Sequence, residues 1–149
     1  MADEERYTFS SLMTSLIEVE GKLGQLYEAI KKETDDPNLK ALLTGYERNS
    51  LRGIESMRRA RIESVVEIML EPITNLKLAE PIARINASIA GRTASNLEKA
   101  IAVGKLVCEL YAMASPKVMN TSADAGELLL TLSRESIERV HELEQYASS

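Results

Sequence analysis

Ile17–Ile30 reads IEVEGKLGQLYEAI, and further along Ile101–Ala114 reads IAVGKLVCELYAMA. Laid one on the other without gaps, Ile17 meets Ile101, Val19 meets Val103, Leu26 meets Leu110 and Tyr27 meets Tyr111. A second echo follows each copy, RNSLRGIESM at Arg48–Met57 returning as RESIERVHEL at Arg134–Leu143. The chain therefore reads as two helix pairs built to one plan. Positions at which the copies differ are where function has to be sought.

Helical spacing carries the assignment of both pairs. Met13, Leu16, Ile17, Leu23, Tyr27 and Ile30 recur as one stripe, so a first helix runs from a cap at Thr8 or Ser10 to about Glu33. Asp35-Asp36-Pro37 then breaks and restarts the chain, with Asp36 as N-cap and Pro37 as first helical residue. So short a loop makes helices one and two antiparallel neighbours. Helix two buries Leu39, Leu42, Leu43, Tyr46, Ile54 and Met57 and continues through Val65–Leu70 until Pro72. From about Pro72 to Ala94 a connector holds a short helix with Pro81, Ile82, Ile85 and Ile89, stopped by Gly91. Ser95 and Glu98 form a capping box for helix three, whose stripe is Leu97, Ala100, Ile101, Gly104, Val107, Cys108 and Tyr111 and which Pro116 ends. Thr121–Asp124 caps helix four, with Ala125, Leu128, Leu129, Leu132, Val140 and Leu143 inward and Gly126 in its first turn. No strand-like alternation of useful length occurs.

Bulk properties narrow the classes. A length of 149 residues suits one domain with a proper core. With one Phe and no Trp, that core falls to Leu, Ile, Val, Met and Tyr, which favours helix packing over a sandwich. A net charge of −5 argues against a nucleic-acid footprint, which needs a basic face. Cys108 is the single cysteine and has no internal disulfide partner, which points to a reducing compartment. The start, MADEERYTF, is acidic where a secretory leader is basic and then apolar, and no run is long enough to span a bilayer. The expectation is a soluble, cytoplasmic protein with neither nucleic acid nor membrane as partner.

Two antiparallel helix pairs joined by a long connector, with Glu-x-Gly and then Tyr on the first helix, resemble the rubrerythrin-like branch of the ferritin-like superfamily. The most specific piece is EGKLGQLYEAIKKETDDPNLKALL at Glu20–Leu43, and the resemblance covers roughly Leu12–Met57 and Leu97–Tyr146. It implies an all-α, ferritin-like four-helix bundle with a crossover connection. The implied organisation is one domain over 1–149, with a first helix pair at about 8–70, a crossover at about 71–94 and a second pair at about 95–147. Members of the family typically hold two irons in the bundle centre, with one Glu from each of two helices and Glu-x-x-His from each of the other two. Carboxylates bridge the hard ions, and imidazole faces the open position.

Carried over residue by residue, that ligand set is nearly gone. Glu20 stands at the helix-one position, but its repeat partner is Gly104. Register places the Glu-x-x-His positions of helix two at Ser50 and Gly53, and those of helix four at Ser136 and Arg139. An intact Glu-x-x-His does occur at Glu138 to His141, the chain's one histidine. At about 100° per residue, Leu128, Leu132, Ser136, Arg139 and Leu143 share one direction, and His141 lies roughly 160° and Glu138 about 140° away from it. Turning them inward would expose Leu132, Val140 and Leu143, at about 1.5–3 kcal/mol per side chain. Both residues are expected on the surface.

Glu20 lies mid-stripe, flanked by Leu16, Ile17, Leu23 and Tyr27, and a buried carboxylate needs a partner or a proton. Arg139, inward on helix four, is the candidate partner for a buried bidentate pair, completed by Ser50, Ser136 or the hydroxyls of Tyr27 and Tyr111. In the alternative, Arg139 snorkels out along the bundle edge and Glu20 is protonated or hydrated. Gly21, Gly24, Gly53 and Gly104 allow close helix approach, and close packing of interiors favours repaired packing over a ligand cavity. Arg48, Arg52 and Arg59 share a face of helix two, with Arg58 and Arg61 near; interleaved Glu47, Glu55 and Glu63 make this a salt-bridged, solvated surface. Cys108 reads as structural, since no core histidine is at hand to activate it. The apolar residues of Val65–Leu70 and Ile82, Ile85 and Ile89 either cover the bundle or pair with a second subunit.

The resulting expectation is a non-catalytic, helical scaffold or interaction protein that has lost its di-iron site and needs no cofactor. Its partners are a second copy in a homodimer and an unidentified protein. Two alternatives stay open: an iron-binding oxidoreductase or iron-handling protein using Glu20, Glu138 and His141, and a small-ligand binder in the bundle centre.

Overall fold

The computed structural model describes residues 6–149; residues 1–5, part of the acidic start, lie outside the described residues. Helix α1, Phe9–Glu33, opens on a reciprocal cap in which the Thr8 hydroxyl accepts from the Ser11 amide and the Ser11 hydroxyl from the Thr8 amide. Lys31 and Lys32 in its last turn meet the negative end of the helix dipole. Asp36 caps α2, Pro37–Glu63, by accepting from the Asn38 amide, with Pro37 at the first helical position.

Helix α2 ends earlier than the expected Leu70. It stops at Glu63, Ser64 turns extended, and a separate four-residue helix α3, Val66–Met69, follows. The Ser64 hydroxyl donates to the Ala60 carbonyl at 2.6 Å, taking up a terminal acceptor. The β-branched pair Val65-Val66 gives the next turn little reason to continue. Two short strands, β1 (Tyr7–Thr8) and β2 (Pro72–Ile73), then pair antiparallel, which no alternation in the sequence announced.

The crossover continues into α4, Ala79–Ala90, with Gly91 as C-cap. Ile85 seals the core from α4, and Lys22 ties the helix to α1 through Asn86 at 2.7 Å. Helix α5, Asn96–Met119, is capped by the Ser95 hydroxyl accepting from the Glu98 amide. Pro116 was expected to end it but lies inside it. Pro116 and Ala112, whose carbonyl loses its amide partner, both face solvent, so water satisfies the carbonyl and the helix runs on for one more turn. Ser122 caps the last helix, α6, Ala123–Ser148. A Cβ on Gly126 would collide with Met119, so the tight α5–α6 turn requires glycine there.

The chain is thus predominantly helical, as the spacing indicated. Helix α1 packs on α2 and α5, and α6 packs on α5 and α2. Cross-helix bonds set the directions. Arg61 reaches Thr14 while Lys31 pairs with Glu47, so α1 and α2 are antiparallel. Ser115 bonds the Gly126 carbonyl while Lys105 pairs with Glu144, so α5 and α6 are antiparallel as well. Tyr111 meets Glu20 and Asn96 meets Glu33, which runs α5 opposite to α1 and parallel to α2. Two parallel helices need a connection as long as themselves, and that is the crossover's task. One continuous core of Leu, Ile, Val, Met and Tyr fills the space between the four long helices.

Candidate functional site

The core has a polar centre, and each long helix contributes to it. Glu20 comes from α1, Ser50 and Gly53 from α2, Gly104 and Tyr111 from α5, and Ser136 and Arg139 from α6; all are buried. Glu20 is 1 % exposed and Arg139 4 %. Each carboxylate oxygen of Glu20 accepts one short bond, Oε1 from the Tyr111 hydroxyl at 2.7 Å and Oε2 from the Ser50 hydroxyl at 2.6 Å. Arg139 Nη1 donates to Ser50 Oγ at 3.1 Å and Nη2 to Ser136 Oγ at 3.1 Å. Ser50 is therefore a relay, giving its proton to the carboxylate and accepting from the guanidinium.

Arg139 and Glu20 are neighbours, with Nη2 at 3.5 Å from both carboxylate oxygens. The expected bidentate fork is replaced by one nitrogen facing two oxygens at a long distance. Geometry explains this: the short bonds of Ser50 and Tyr111 already occupy the carboxylate, and the two serines turn the guanidinium edge toward themselves. Arg139 stays inside, its guanidinium carbon 5.6 Å from the Tyr27 ring centroid, where the ring face attracts the cation. Its Nε is buried without a partner. The Tyr27 ring leans in turn on Tyr46, at 5.3 Å between centroids, and the Tyr46 hydroxyl donates to Glu142 at 2.9 Å.

Burial and neighbouring charges shift the tyrosines and the arginine at this centre. Burial, then the charge of Glu20 and its bond, push the Tyr111 hydroxyl well above its usual range, so it remains a phenol and donates. Burial likewise raises Tyr27, against the opposing influence of Arg139. For Arg139 burial opposes the charge, but the Tyr27, Glu20 and Tyr111 oxygens outweigh it and its pKa rises.

The donor set does not suit a metal. Of the six positions that the resemblance assigns to ligands, Glu20 alone carries a carboxylate, and a cation already sits beside it. Among the described residues no group of three or more His, Cys, Asp and Glu converges as an ion would require. Glu138 and His141 are exposed on α6, so the alternative set of Glu20, Glu138 and His141 is not brought together. A Cβ on Gly53 would come 3.0 Å from Leu132, and one on Gly104 would come 2.7 Å from Val140, so side chains fill the space beside both glycines. Gly21 and Gly24 are different: a Cβ at Gly21 meets nothing within 4 Å and one at Gly24 only Ser50 at 3.9 Å, so close approach does not explain them. Surface clefts of 290–560 Å³ lie at helix ends and beside the crossover, and neither Glu20 nor Arg139 lines them.

Other sequence candidates separate cleanly. Cys108 is half-buried and clasps α5 to α6, its thiol 3.4 Å from the Ser133 carbonyl while the Ser133 hydroxyl donates to the Cys108 carbonyl at 3.2 Å. Arg61 bonds Thr14, but Arg48, Arg52, Arg58 and Arg59 form no ion pair among the described residues, and Glu47 pairs with Lys31. The expected salt-bridged surface is thus a row of unpaired arginines. The apolar connector divides: Ile85 covers the core with Ile82 and Ile89, whereas Val65, Val66 and Leu70 stay exposed. No helix among the described residues is long and apolar enough to cross a membrane. Compared with known proteins, the chain matches no family model, no curated protein and no solved structure.

Proposed function

We propose that this chain is a non-catalytic relative of the rubrerythrin-like branch of the ferritin-like superfamily. In this reading it is a four-helix bundle of two repeated helix pairs that has given up its di-iron site and serves as a scaffold or interaction protein. One observation carries the proposal: the Arg139 guanidinium, held by Ser50 and Ser136, lies against Glu20 where the family places metal. A fixed internal cation repels a divalent ion and supplies the charge that the remaining carboxylate needs. The crossover between parallel helices α2 and α5 supports the same lineage.

Iron titration of the apoprotein tests it. Incubation with ferrous iron followed by desalting should leave far less than one iron per chain, and His141→Ala should change nothing. Near-stoichiometric iron that is retained by the natural chain and lost in Glu20→Ala would overturn the proposal.

A further inference from the structure

The outer surface of α2 carries charge that the molecule itself does not neutralise. Arg48, Arg52 and Arg59 are exposed and, at about 100° per residue, fall within about 40° of one another. Leu51 and Ile62, 63 % and 71 % exposed, lie beside the row on its α1 side, about 40–100° from the arginines. Glu55 and Glu63 are also exposed, within about 60° of the row, so the face is basic on balance and not throughout, on a chain of net charge −5. The neighbouring helix α6 presents a mainly acidic complement, with Glu127, Glu138 and Glu142 exposed within about 60°, Glu135 half-buried beside them, and the exposed Arg134 about 20° from Glu127 at the edge of the row. None of the three arginines, and none of Glu127, Glu135 and Glu138, is in an ion pair among the described residues.

The seam between α2 and α6 fixes the relative heights of the two rows. Tyr46 bonds Glu142, Ser50 bonds Arg139, and Gly53 faces Leu132. Arg48 is therefore level with Glu138 and Glu142, Arg52 with Glu135 and Glu138, and Arg59 with Glu127. A twofold axis running along this seam, parallel to the helices, keeps every height and exchanges the helices. It lays the arginine row of one copy on the glutamate row of the other, and the reverse, at matching levels. A twofold at right angles to the helices stacks arginine on arginine and is repulsive. We infer that the α2–α6 face docks a second copy of this chain in an isologous dimer, with Arg48, Arg52 and Arg59 of each copy facing Glu127, Glu135 and Glu138 of the other.

An anionic membrane would meet the arginines and the glutamates together and gain little. The inference does not depend on what the centre of the protein does, and it survives if iron binds there.

Light scattering coupled to gel filtration, at low and high salt, decides it. The natural chain should run at twice its 16.5 kDa mass and dissociate more readily as salt rises. Arg48→Glu/Arg52→Glu/Arg59→Glu should run at the single-chain mass, and so should Glu127→Lys/Glu135→Lys/Glu138→Lys. Mixing the two triple variants should restore the double mass, because both contacts are then complementary, and circular dichroism checks that each variant is folded. A monomeric natural chain, a dimer indifferent to both triple variants, or a failure of the mixture to associate would overturn the inference. So would binding of the natural chain to phosphatidylserine vesicles that the arginine variant loses, since the face would then belong to a membrane.

Discussion

Replacing Arg139 by methionine isolates the charge at the centre of this protein. Methionine keeps an unbranched apolar stem, so little of the loss should come from packing. What disappears is the cation 3.5 Å from both oxygens of Glu20, together with the donors to Ser50 and Ser136. At an effective dielectric of about 20, two unit charges at this separation attract by roughly 4–5 kcal/mol. Breaking a buried pair from one side costs about 3–5 kcal/mol, because the other charge is left behind. The short bonds from Tyr111 and Ser50 remain and set the loss toward the lower end of that range. Urea unfolding followed by circular dichroism should therefore show a deficit of about 3 kcal/mol with an unchanged m-value, and Tm should fall by roughly 6–12 °C.

Two controls separate charge from shape. Glu20→Gln/Arg139→Met should be more stable than Arg139→Met alone, since the stranded carboxylate is gone. The deficit of the single variant should also shrink as pH falls from 7 toward 5, because a stranded buried carboxylate is relieved by taking up a proton. A deficit below about 1 kcal/mol, or a double variant that simply adds its two single losses, would refute the coupling between Glu20 and Arg139.

Gly104→Ala should destabilise by about 1–2 kcal/mol, as the new methyl group meets Val140 at 2.7 Å, whereas Gly21→Ala, with open space around it, should stabilise by about 0.5–1 kcal/mol; denaturant curves of the two variants check both signs. The Tyr146 hydroxyl donates to Asp36 at 2.7 Å and, with backbone bonds at the cap, holds that carboxyl below its usual 3.8. A depressed acid stabilises the fold above its unfolded pKa and loses that contribution as pH falls through the folded value. Tyr146→Phe should thus raise the Asp36 pKa toward 3.8, read by NMR titration, and its stability difference from the natural chain should shrink as pH falls below 3.8 and be gone once pH is under the folded Asp36 value.

Much of the helical plan was legible because its signals are local. Asp36-Pro37, Ser95 and Gly91 act within one turn, and each stands where its chemistry predicts. The inward position of Arg139 was legible too, because it shares a stripe with Leu132 and Leu143. Two boundaries were missed where a tertiary or solvent term overrules the local one. Val65–Leu70 looks like continued helix until Ser64 bonds back to Ala60 and β1 recruits the following residues. Pro116 looks like a terminator until its solvent-facing side is known. The guanidinium geometry was not readable at all: a stripe gives a direction, while hydrogen-bond partners depend on which oxygen each neighbour has already taken. Gly21 and Gly24 show the same limit, since spacing cannot tell a contact from an opening.

A buried pair is weak evidence of stability, since apolar residues of similar volume often do as well. The value of this one is better sought in register. Four helices meet at one carboxylate and one guanidinium, and the chemistry permits few other alignments. Sliding α6 by a single residue would bring Glu138 toward Glu20, carboxylate against carboxylate, or leave Val140 where Ser50 and Glu20 need a donor. Sliding α5 would take the Tyr111 hydroxyl away from Oε1, for which the neighbouring Leu110 and Ala112 offer no replacement. The surrounding Leu, Ile and Val would tolerate such slips far better, being alike in volume and indifferent to direction. The bond from Arg139 to Ser50 across the seam also fixes the outer rows of α2 and α6 at their relative heights, on which the proposed twofold pairing is drawn.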